Sequence, residues 1–170
     1  MLTLGYFQAA KVAYNGGMEK SAETVAHLFV RAINRQDAGG LADLMTQEHR
    51  FVDSLGNVVI GRQEARSGWE TYFQMVPDYA ITVQESYGAG PVVVMLGMAR
   101  GTYVPPVKEV WSRNPMSTRT PDQAPALELK PENEWKTPAA FRVLVENGLV
   151  AEWQVYADNE PIRELIRKTQ

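Results

Sequence analysis

From Ala22 onward, apolar side chains return at Val25, Ala26, Phe29, Ala32 and Ile33, the spacing that lays one buried stripe along a helix. Ser21, flanked by Glu19 and Glu23, supplies the polar and acidic residues suited to a helix start. The break Asp37-Ala38-Gly39-Gly40 leads to a short helix with Leu41, Leu44 and Met45 turned inward. A strand is predicted over His49–Ser54. It turns at Leu55-Gly56-Asn57, and Val58–Ile60 returns as its hairpin partner. A third helix, Arg62–Val76, would bury Ala65, Trp69, Tyr72, Phe73 and Val76, and Pro77-Asp78 ends it.

Beyond that point the hydrophobic period drops from 3.6 to 2. Strands are predicted at Tyr79–Tyr87, Pro91–Val104, Thr137–Glu146 and Leu149–Tyr156, with turns at Gly88-Ala89-Gly90 and Asn147-Gly148. Asn-Gly between two apolar runs is a strong signal for a tight hairpin. The stretch from Pro105 to Trp135 is rich in proline and poor in periodicity, so it reads as a long loop or insertion. Helices followed by a curved antiparallel sheet define an α+β domain over residues 18–170. Residues 1–17 read as a flexible arm hinged at Gly16-Gly17, without the basic start of a secretory signal.

Composition narrows the choice of function. The chain of 170 residues is 45% hydrophobic and 22% charged, values of an ordinary folded domain. Its net charge of −3, with lysines and arginines scattered, argues against a nucleic-acid partner. There is no cysteine, which excludes disulfides, thiolate nucleophiles and cysteine-based zinc sites. The longest apolar run, Pro91–Ala99, is too short to span a bilayer, so a cytoplasmic location is expected. His27 and His49 lack further ligands at matching spacing, so neither a metal nor another cofactor is expected.

Phe29-Val30-Arg31-Ala32-Ile33-Asn34-Arg35-Gln36-Asp37, Phe51-Val52-Asp53-Ser54-Leu55-Gly56, Gly61 and the closing Trp153-Gln154-Val155-Tyr156-Ala157-Asp158 carry a family likeness. Through them the chain resembles the nuclear transport factor 2-like superfamily, and within it the SnoaL-like polyketide cyclases and ketosteroid isomerases. The resemblance implies a cone: a curved sheet wrapped around helices, with a pocket at one end and a homodimer formed through the sheet. Asp53 resembles the isomerase general base in its Asp-x-x-Gly turn. Phe29 stands where the isomerase has an oxyanion-hole tyrosine, and Ala139 falls near its protonated aspartate, so both donors are missing and steroid isomerisation is not expected. Asp158 resembles the acid/base aspartate of the SnoaL-type cyclases. Epoxide hydrolases of this fold use an Asp-Arg-Asp set, of which Arg142 and Asp158 would supply a part.

Two carboxylates are therefore the candidate acid/base groups. Asp53 shares a strand face with His49 and Phe51, and an apolar wall there would raise its pKa; the alternative is a turn aspartate bonded to the amides of Leu55 or Gly56. Asp158, with Tyr156 as a hydrogen-bonding neighbour, stands either at the pocket mouth or as a cap before Glu160-Pro161-Ile162-Arg163. The expected ligand contacts are Phe29, His49, Phe51, Trp69, Phe73, Met95, Phe141 and Tyr156. Trp111 and Trp135 flank the long loop and would serve as an aromatic lid or as anchors. Arg142 would bind a ligand carboxylate or pair with Glu152 across the hairpin. Three functions fit: a cofactor-free cyclase or isomerase acting on an apolar carbonyl compound, a non-catalytic binder of hydrophobic small molecules, or a dimeric interaction domain.

Overall fold

The computed structural model describes residues 20–105 and 129–169, so the expected arm, Trp111 and most of the predicted insertion lie outside the described residues. Helix α1 (Ala22–Asn34) buries Val25, Ala26, Phe29 and Ile33, as the spacing predicts, and the Ser21 hydroxyl caps it by accepting from the Thr24 amide at 3.2 Å. Its far end is stitched to the sheet by side-chain amides. Asn34 exchanges two hydrogen bonds with the Ile81 backbone (2.9 and 2.8 Å), and Gln36 donates to the Tyr79 carbonyl at 2.8 Å.

Helix α2 (Ala38–Asp43) is capped by Asp37, which accepts from the Gly40 amide at 2.7 Å. Strand β1 (Met45–Val52) begins earlier than expected. Met45 is fully buried, but as the first residue of the strand rather than the end of α2, because Leu44 closes the helix as its C-cap. Strand β2 (Val58–Ile60) pairs antiparallel with β1 as predicted, Phe51 opposite Val59, and helix α3 (Arg62–Met75) follows.

Strands β3 (Ala80–Ala89), β4 (Val92–Thr102), β5 (Glu134–Glu146) and β6 (Leu149–Ala157) complete the sheet, and helix α4 (Glu160–Thr169) ends the domain. The strand order is β2-β1-β6-β5-β4-β3. All neighbouring pairs are antiparallel except β1–β6, which makes the sheet mixed. The Asn147-Gly148 hairpin forms with φ of 50° and 74°, the two left-handed positions that a tight primed turn demands. Trp135, expected on the loop, is buried within β5. The architecture is the expected α+β cone, with α1 and α3 on one face of an open, curved sheet.

The core lies between α1 and the middle of that sheet. Phe29 meets Trp153 with ring centroids 4.9 Å apart, and Phe141 meets Trp153 at 5.2 Å. The sheet's outer face carries the ion pair expected of Arg142 and Glu152. The same carboxylate also binds Arg50 at 2.8 Å, so Glu152 ties β5, β6 and β1 together.

His49 is fully buried, its Nδ1 2.8 Å from the Val150 carbonyl, while Nε2 has no partner among the described residues. The carbonyl requires the proton on Nδ1. Burial pushes the His49 pKa below its usual 6.5, against smaller upward pulls from the Val150 carbonyl and Glu152. The unfolded chain therefore binds a proton that the folded chain resists, and stability falls as pH drops through 6.5 toward the folded value. Thermal denaturation at intervals from pH 7.5 to 5 should show a decline in Tm that is shallower in His49→Leu. Equal slopes in both proteins would mean that His49 does not carry the effect.

Candidate functional site

Next to the core under α1, α3 stands off the strands and leaves a cavity of about 300 Å³. The gap follows from side-chain size. Ala65, Gly68, Trp69 and Tyr72 form one stripe of α3 at i, i+3, i+4 and i+7, and all four face the cavity. Gly68 leaves open space, since nothing lies within 4 Å of where its Cβ would sit. Opposite stand Ala99, Val155 and Ala157, whose short side chains cannot bridge to the helix. Phe51, Tyr79 and Trp135 close the sides, so the lining is mainly apolar and aromatic.

The rings are packed among themselves. Trp69 lies edge-on to Phe51 (80°, 5.8 Å) and to Tyr72 (83°, 6.1 Å); Tyr72 is edge-on to Tyr79 at 5.0 Å, and Tyr79 stacks on Trp135 at 6.0 Å. Burial pushes the phenol pKa values of Tyr72 and Tyr79 well up, so both remain protonated. The indole N–H groups of Trp69 and Trp135 are sealed inside the protein with no acceptor among the described residues.

The mouth is polar. Ser54 and Asn159 meet there, with Asn159 Nδ2 donating to Ser54 Oγ at 2.8 Å, and this bond joins the β1–β2 turn to the start of α4. Asp53 and Glu64 are the charged residues of the lining among the described residues, which supply no lysine, arginine or histidine to it.

Of the expected ligand contacts, Phe51 and Trp69 line this cavity, and so does Asp53. Phe29, His49, Met95 and Phe141 do not; they are 0–1% exposed and fill the core beneath α1. Phe73 packs behind Trp69, ring centroids 5.3 Å apart. Tyr156 is 53% exposed on the outer face, because strand alternation turns its neighbours Val155 and Ala157 inward. Tyr72, Tyr79 and Asn159 were not among the expected contacts. The i, i+3, i+4, i+7 stripe of α3, with a glycine on it, was the signal for Tyr72; Tyr79 and Asn159 carried none.

Each carboxylate proposed for acid/base work serves the backbone. Asp53 Oδ1 accepts from the amides of Leu55 (2.8 Å) and Asn57 (2.9 Å), and Oδ2 accepts from the Asn57 side chain at 2.8 Å. Slight burial pushes its pKa up, but the bonds from Asn57, Leu55 and Gly56 together outweigh this and hold it below the usual carboxylate value. A general base wants the opposite shift. Asp158 is exposed, lies outside the lining, and accepts from the Glu160 amide at 2.9 Å to turn the chain into α4.

The SnoaL-like domain family matches residues 26–153, most of the chain, and the protein belongs to that family. Comparison with curated proteins gives no match. Solved structures share the fold at low identity. A Catenulispora acidiphila protein of ketosteroid isomerase-like fold, determined with trimethylamine, is 15% identical with a TM-score of 0.62 over 87% of this chain and 95% of that one. A candidate SnoaL-like polyketide cyclase from Shewanella putrefaciens is 18% identical, with a TM-score of 0.63 over 88% and 97%. An M. tuberculosis epoxide hydrolase is 9% identical, with a TM-score of 0.62 over 87% and 90%. Their differing descriptions on one scaffold leave the reaction to be argued from this chain's own site.

If Asp53 works chiefly as a turn cap, Asp53→Asn keeps the Oδ1 bonds and should unfold within a few tenths of a kcal/mol of wild type. Asp53→Ala loses them all and should cost about 1 kcal/mol. Urea denaturation of the three proteins distinguishes these values, and equal losses in both variants would refute the cap.

Proposed function

We propose that this chain is a cytoplasmic small-molecule binding protein whose ligand occupies the aromatic cavity between α3 and the ends of β1, β4, β5 and β6. One observation carries the reading. The cavity is mainly apolar, yet Asp53, the acid/base candidate at its mouth, is committed to a turn and held ionised. A preformed apolar space with a few polar groups at its mouth is the usual form of a ligand site. The substitution Gly68→Leu places four carbons at the exposed rim of the cavity, where nothing lies within 4 Å of the Cβ position, and leucine favours the helix by close to 1 kcal/mol. Titration with small neutral aromatic and alicyclic ketones, followed by tryptophan fluorescence, should show saturable binding in wild type. Gly68→Leu should weaken it about tenfold or more while keeping the Tm. Binding that is unchanged in that variant would place the ligand elsewhere.

Asp53 also supports a catalytic reading, because it is the acid/base candidate that reaches the cavity. Under that reading Asp53→Asn abolishes turnover of a carbonyl substrate and retains its affinity. Under the binding reading the variant alters neither.

The protein is further proposed to act as a homodimer. The outer sheet face presents Val94, Leu96 and Met98 on β4 beside Ala140 and Leu144 on β5 and Tyr156 on β6, with Leu96 38% and Tyr156 53% exposed. A broad apolar strand face of this kind marks an association surface. Light scattering should give twice the chain mass for wild type and the single mass for Leu96→Glu; a monomeric wild type would refute the assignment.

A further inference from the structure

The charge and ring content of the cavity narrow the class of ligand. Five aromatic residues, Phe51, Trp69, Tyr72, Tyr79 and Trp135, line it, and the charged groups among its described residues are both carboxylates, Asp53 and Glu64. Among the described residues the lining has no lysine, arginine or histidine to neutralise a ligand carboxylate or phosphate, and two carboxylates would repel one. Glu64 makes no hydrogen bond or ion pair among the described residues, whereas Glu70, Glu152 and Glu160 are each paired with arginine. Both tryptophan N–H groups are sealed away from the cavity, so what the indoles present to it is ring carbon. Trp69 and Tyr72 meet near a right angle, as do Tyr72 and Tyr79, so the ring planes around the cavity cross rather than forming one flat wall. A cation over such faces is attracted by the ring quadrupole, and more strongly where water is excluded.

Resting on the reading of this cavity as a small-molecule site, we propose that its ligand carries a compact organic cation, a tertiary or quaternary ammonium, set against Trp69, Tyr72, Tyr79 and Trp135 and balanced by Asp53 and Glu64. The alkyl groups of such a cation satisfy the apolar lining. The charge of a quaternary ammonium is spread over its alkyl groups and needs no hydrogen-bond acceptor in the walls, and the single N–H of a tertiary one can be met by a carboxylate at the mouth. Asp53, whose turn bonds keep it ionised, contributes a fixed negative charge at the mouth, and Glu64 remains available to a ligand.

The test compares choline with its neutral isostere, in which a tert-butyl group replaces trimethylammonium. The two match in shape and differ in charge. Dissociation constants are measured by tryptophan fluorescence and ligand-observed NMR on the full chain, alongside Glu64→Gln, Tyr72→Leu and the cavity-filling Gly68→Leu. Choline should bind about tenfold more tightly than the isostere. Glu64→Gln and Tyr72→Leu should each narrow that ratio severalfold, and Gly68→Leu should weaken both ligands. An isostere that binds as well as choline, or a ratio unmoved by Glu64→Gln and Tyr72→Leu, overturns the inference while leaving a ligand cavity in place. If neither molecule binds while the neutral ketones do, the inference also falls alone. If all of them fail, the reading of the cavity as a ligand site falls with it.

Discussion

The parallel contact of β1 with β6 is the joint on which the rest of the domain depends. Parallel strands cannot be linked by a tight turn, so β1 must be held beside β6 by side chains and by everything that lies between them in the chain. Glu152 does this on the outer face by binding Arg50 of β1 and Arg142 of β5. His49 does it on the inner face through the Val150 carbonyl. With β1 in place, its hairpin partner β2 forms the sheet edge, α3 is delivered back across the inner face, and Ser54 comes within reach of Asn159. Loosening that joint would open the cavity mouth and the core together.

Two helices cover the inner face, and they cover it differently. Helix α1 sends Phe29 and Ile33 into full contact with the sheet, where Trp153 and Phe141 rise to meet them. Helix α3 brings Ala65 and Gly68, the turn ahead of Trp69 and Tyr72, opposite Ala99 and Ala157. Small faces small, and the space between stays open. Protein interiors are close-packed, so an unfilled volume of this size facing solvent at one end is the feature on which the proposed ligand site rests. The aromatic rings around it hold one another at fixed angles, which keeps the space from collapsing.

Asp53 illustrates how one residue type serves two opposed purposes. Three hydrogen bonds make it a good turn residue and a weak proton acceptor, because each one stabilises the charged form. Solved structures that share this fold are described as a candidate SnoaL-like polyketide cyclase and as an epoxide hydrolase. In this chain the turn bonds of Asp53 and the outward position of Asp158 favour binding over proton transfer. A fixed negative charge beside aromatic faces is better suited to holding a cation than to moving a proton.

The sequence by itself determined the elements and their order. The heptad-like stripe of α1, the period-two runs of β3 to β6, the Asn147-Gly148 turn and the Arg142–Glu152 pair are local patterns, set by periods of 3.6 and 2 and by turn chemistry, and each is present in the structure. Of the cavity, the sequence reached Phe51, Asp53 and Trp69, because strand parity and helix phase show which face a residue occupies. Only the tertiary structure decided how far along each strand that face is covered by α1 and where the cover changes to α3. That boundary separates Phe29, Met95 and Phe141 in the core from Tyr72, Tyr79 and Trp135 at the cavity, since all of them are inward-facing apolar or aromatic residues and pattern alone cannot rank them. The parallel β1–β6 pairing was equally hidden: it joins segments about a hundred residues apart, and no local signal encodes a partner that only packing selects.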